Sequence, residues 1–175
     1  SESEEVVREV DKILKEIRKH SKDVIEKLKK LIDDIRRRVR KVIRDSEEIN
    51  KRIEDLAREG VPEEDLERLV EENKRRNDEV LKRLKELAER VKEEADRALE
   101  RDKRLVEELK KRIDDKVTSE EDMRRLKERL DKILDDSREM LKRLKDELDE
   151  VLEEVERLLR ETKKRSDEIL KRIKD

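Results

Sequence analysis

The sequence contains no Phe, Trp or Tyr and no Cys, and it uses Gly and Pro once each in 175 residues. Without aromatic rings a globular core anchored by large planar side chains is not available, so any core is aliphatic. Without thiols there is neither a disulfide framework nor a thiolate metal site. With so little Gly and Pro, strands and irregular loops are nearly excluded. Long apolar runs are also missing. The longest are pairs such as Val6-Val7 and Leu158-Leu159, far short of the roughly 20 residues that span a bilayer.

A dominant charge of one sign is lacking as well: 52 Lys and Arg face 54 Asp and Glu, for a net charge of −2. The most basic run, Arg36-Arg37-Arg38-Val39-Arg40-Lys41, is bracketed by Asp33, Asp34 and Asp45. It therefore reads as a solvated helix face, and no nucleic-acid partner is expected. What the chain does have is 61% charged and 31% hydrophobic residues, a mixture that would be disordered if arranged at random. The preponderance of Glu, Lys, Arg, Asp and Leu suits long helices or coiled coils instead.

Only two places interrupt the helical pattern. At Glu59-Gly60-Val61-Pro62-Glu63, Gly60 suits the left-handed residue past a helix end and Pro62 the first position of the next helix. At Lys116-Val117-Thr118-Ser119-Glu120-Glu121-Asp122, Thr118 or Ser119 can cap a helix, answered by Glu121 or Asp122 three residues on. Acidic residues open the segments and basic residues close them, as the helix dipole favours. The expected elements are helix 1 over 2–59, helix 2 over 62–115 and helix 3 over 119–174 of one domain spanning 1–175. Each would be roughly 80 Å long at 1.5 Å per residue.

The apolar pattern begins as a heptad at Val7, Val10, Leu14 and Ile17 but repeats every 18 residues, as in Val6/Val24/Val42, Ile17/Ile35/Ile53, Leu69/Leu87/Leu105 and Met123/Leu141/Leu159. Eighteen residues are five turns of an ideal helix, so the stripe stays on one face of a straight helix, whereas sustained heptads would supercoil it. Short connections make neighbours antiparallel. The predicted fold is all-α: a single-chain up-down-up three-helix bundle of long, nearly straight antiparallel helices. Three equal stripes closing on one another leave little apolar surface for a partner, which favours a monomer.

Two groups of polar residues interrupt the stripe. Level positions have numbers totalling about 121 between helices 1 and 2, and differing by about 114 between helices 1 and 3. On that register Ser46 and Asn50 share a layer with Asn73, Asn77, Thr162 and Ser166. Isolated, such a group costs about 1–3 kcal/mol, but a layer fed by all three helices can satisfy itself and penalise any slide. A second layer would hold His20, Ser21, Asp102 and Ser137. Ser, His and Asp are the constituents of an acyl-transfer triad. The chemistry also needs an oxyanion hole and a cleft, and helical backbone N–H groups are already committed, so a structural network is the preferred reading. Glu16 and His20 are spaced i, i+4, but one His without Cys does not complete a metal site, and no cofactor is expected. Met123 and Met140 read as core filling.

With untwisted geometry, idealised caps, an aliphatic core and polar residues confined to layers, the chain resembles computationally designed (de novo) parametric helical bundles with buried hydrogen-bond networks. Spectrin-like repeats have shorter helices with aromatic cores. The resemblance implies a structural scaffold without natural activity, soluble, carrying no targeting signal, and found in the cytoplasm of an expression host. The alternative it leaves open is a binding or switching component in which a helix engages a partner helix.

Overall fold

In the computed structural model, which describes residues 1–175, the chain forms three α-helices and no strands: α1 Glu2–Arg58, α2 Glu63–Lys116 and α3 Glu120–Lys174. The three pack against one another as a three-helix bundle.

The first break is a Schellman C-cap. Gly60 adopts φ 84°, its N–H donates to Ala57 O, and the Val61 N–H reaches back to Leu56 O. These bonds satisfy carbonyls that the end of α1 would otherwise leave unpaired. Pro62 lies one position earlier than the sequence suggested. Its carbonyl accepts from Leu66 N–H, which makes it the N-cap and Glu63 the first helical residue. Either position lacks an intrahelical use for the N–H that proline does not have. At the second break Ser119 is the cap, its Oγ accepting from Asp122 N–H at 3.3 Å. No residue there has positive φ.

The chain divides into two units. In the first, Ser1–Lys30 with Arg90–Glu147, the core takes Val6, Val10, Leu14 and Ile17 from α1, Val106, Leu109 and Ile113 from α2, and Leu126, Leu130, Ile133 and Leu134 from α3. Val117 of the connection plugs the same cluster. The spacings are three and four residues, so each helix contributes one stripe. Burying each such side chain stabilises by roughly 1.5–3 kcal/mol. In the second unit, Leu31–Glu89 with Leu148–Asp175, Ile53, Leu66, Val70 and Ile169 form a cluster next to the first turn. Leu56, Ala57 and Val61 of the C-cap pack on it, so the cap is hydrophobic as well as hydrogen-bonded.

Two expected core residues lie elsewhere, and one is Val7, 38% exposed beside the buried Val6. Met140 is 42% exposed and lines a shallow groove with Ile25, Ile133, Ser21 and Ser137. It sits one residue before Leu141, which holds the buried position of the stripe. Met123 is partly buried against the first core.

Candidate functional site: buried polar layers

Ser46, Asn50, Asn73, Asn77, Thr162 and Ser166 are all buried, and all belong to the second unit. They form two hydrogen-bonded groups. Between α1 and α2, Ser46 Oγ donates to Asn73 Oδ1 at 3.3 Å and accepts from Asn77 Nδ2 at 3.2 Å. Between α1 and α3, Ser166 Oγ lies 2.9 Å from Asn50 Oδ1 and 3.2 Å from Thr162 O. Thr162 Oγ1 turns to its own helix and donates to Leu158 O, a common local bond for Thr in a helix.

In the first unit the four residues are likewise split. Ser21 Oγ and Ser137 Oγ are 2.7 Å apart, one donating to the other. His20 Nδ1 lies 3.6 Å from Asp102 Oδ1, with the His20 side chain 54% exposed and Asp102 buried. His20 is therefore at the rim of the bundle and not inside a layer. Consecutive residues on a helix point about 100° apart and do not face each other. His20 accordingly turns to α2 while Ser21 turns to α3, and the serine hydroxyl is engaged by a second serine. The geometry is two separate pairs, not a relay from Asp through His to Ser.

Burial pushes the Asp102 carboxyl above the usual carboxylate range, opposed by His20 and by Arg101. Lys74 is held above the ordinary lysine value, chiefly by its hydrogen bond to Asp167 and also by Glu71, against a smaller opposing effect of burial. No group of three or more His, Cys, Asp or Glu could hold a metal ion, and no helix is long and apolar enough to cross a membrane.

A set of charge pairs that the apolar pattern does not reveal links α2 and α3. In the first unit these are Lys110–Asp131, Lys127–Asp114 and Lys145–Asp96. In the second they are Lys74–Asp167, Lys163–Asp78, Lys85–Glu156 and Lys174–Glu67. The two numbers in every pair total 241, a regularity that could have been found by pairing Lys with Asp across the second break. Between α1 and α2, Lys27–Glu94 and Glu9–Arg112 both total 121. Between α1 and α3 the offset is 116 for the Ser21–Ser137 and Asn50–Ser166 contacts, two residues more than the breaks suggested.

Neither a protein-family model nor a curated protein matches the chain. Among solved structures it is similar to a "Computationally designed three helix bundle", with 21% identity over 98% of this chain and 82% of that one, at a TM-score of 0.44.

Proposed function

We propose that the chain is a de novo designed structural scaffold: a soluble, very stable monomer that requires no partner and catalyses no reaction. The observation that carries this reading is where the aliphatic side chains go. The apolar stripes of all three helices are spent on one another, and Val7 and Met140 are the exposed large hydrophobics. The buried polar groups are confined to small sets whose role is to fix register and helix pairing. A slide by one turn would set Asn50, Asn73 or Asn77 against aliphatic neighbours at a cost of about 1–3 kcal/mol each.

Light scattering coupled to size exclusion, over a hundredfold range of concentration, tests this. The monomer mass throughout, with one cooperative guanidinium transition, is the expected result. A mass that rises with concentration and returns to monomer in Met140→Lys would overturn the scaffold reading. It would make the chain a binding component that uses the groove of Ile25 and Met140.

A further inference from the structure

Two side-chain donors in the second unit, Asn50 Nδ2 and Asn73 Nδ2, are buried with no acceptor among the protein's own groups. They belong to different halves of the polar layer, Asn73 to the group around Ser46 and Asn50 to the pair with Ser166. They are nonetheless level. Ser46 bonds Asn77 and Asn73, which are one turn apart on α2, and α1 and α2 run antiparallel. The next turn of α1, at Asn50, therefore comes alongside Asn73.

Turning an amide over does not remove the problem. With Asn50 reversed, Ser166 can accept from Nδ2 while donating to Thr162 O, but Oδ1 is then stranded. With Asn73 reversed, Ser46 donates to Asn77 Oδ1 at 3.2 Å instead, and Asn73 Oδ1 takes the buried place of Nδ2 and needs a partner in its turn. A buried polar group without a partner costs about 1–3 kcal/mol, and such groups in folded proteins are nearly always paired with protein or with ordered water.

We infer that one buried water molecule accepts from both Asn50 Nδ2 and Asn73 Nδ2 and thereby joins the two halves into a single network spanning α1, α2 and α3. The ligand must supply an acceptor for two neutral N–H groups. Water does so and can return its own protons to Asn77 Oδ1 and Thr162 Oγ1, making about four bonds, the upper end of what a buried water forms. A halide would carry a charge into a layer of neutral donors, where the nearby ammonium of Lys74 is already paired with Asp167 and Glu71, so its desolvation would go uncompensated. The layer has small side chains where the stripe elsewhere has large ones: Ser46 stands eighteen residues after the fully buried Leu28.

The test is a rotating-frame Overhauser experiment on uniformly 15N-labelled protein, observing the side-chain amides. Asn50 and Asn73 are both expected to show direct cross-peaks at the water frequency. Asn73→Leu is expected to abolish the water cross-peak of Asn50 as well, because one molecule serves both. No water cross-peak at either amide of the parent protein would overturn the inference, and so would an Asn50 cross-peak that survives in the folded Asn73→Leu variant. Should that variant fail to fold, the parent measurement still decides whether the donors are hydrated. A chloride titration that shifts both amide resonances in parallel, absent with sulfate, would assign the site to a halide and overturn the assignment to water.

Discussion

Removing the Ser46 hydroxyl should cost more than the loss of one oxygen atom suggests. Ser46→Ala creates almost no cavity and leaves helix propensity intact or improved. The hydroxyl, however, serves two buried amides, donating to Asn73 Oδ1 and accepting from Asn77 Nδ2. Without it both groups lose their side-chain partner at positions only 3% exposed. At about 1–3 kcal/mol for each stranded group, the expected destabilisation is about 3 kcal/mol. With a guanidinium slope of roughly 5 kcal/mol/M, the unfolding midpoint should fall by about 0.6 M. Ser21→Ala is the matched control. It removes one bond, to Ser137, whose hydroxyl can turn to a carbonyl of its own helix, so about 0.5–1 kcal/mol should be lost. Paired guanidinium titrations followed by circular dichroism at 222 nm measure both. If Ser46→Ala costs no more than Ser21→Ala, Asn73 and Asn77 do not depend on that hydroxyl and the reasoning fails.

Burial of Ile17 is complete, so Ile17→Ala should cost about 3–4 kcal/mol; Met140→Ala, at an exposed site, should stay within about 0.5 kcal/mol. Equal midpoints for the two would contradict the placement of the core. Gly60→Ala should cost about 1 kcal/mol through its positive φ alone, because an added Cβ meets nothing within 4 Å; an unchanged melting temperature would show that the cap can rearrange. The raised pKa of Asp102 means that the folded chain keeps this proton where the unfolded chain has released it. Stability from this group is therefore fully present below the unfolded pKa and is lost as pH rises through the folded pKa. Asp102→Asn should accordingly be more stable than the parent at pH 7, with a flatter profile as pH rises from the ordinary carboxylate range to neutral. A less stable Asn variant at neutral pH would mean that the contact with His20 outweighs the cost of burial.

Much of the architecture is legible in the sequence because each break is written in residues with a single physical use. One Gly supplies the left-handed C-cap and one Pro the start of the next helix, leaving few other places to bend. That polar residues are buried at these six positions is legible for a similar reason: Ser, Asn and Thr on an apolar stripe stand out against Leu and Ile. How those six divide is not legible, because bond partners depend on side-chain torsions that the numbers do not carry. The splitting of His20 from Ser21 could have been read, since adjacent helical residues face different neighbours. The exposure of His20 could not, because at the flank of a stripe a few degrees of helix rotation decide between rim and core. Met140 misleads by type: a thioether suggests core material, but the position lies off the eighteen-residue stripe, one residue before the buried Leu141.

The matched totals between α2 and α3 fix how far one helix may slide along the other, yet they say nothing about which molecule each helix belongs to. An α3 from a second copy would meet α2 with the same Lys and Asp partners at the same heights. Only the short tether Val117–Ser119 makes the neighbour in the same chain the preferred one, by keeping its effective concentration high. Refolding at millimolar concentration erodes that advantage, and lengthening the tether erodes it further. The code that aligns this bundle is thus also a code for exchanging helices between bundles.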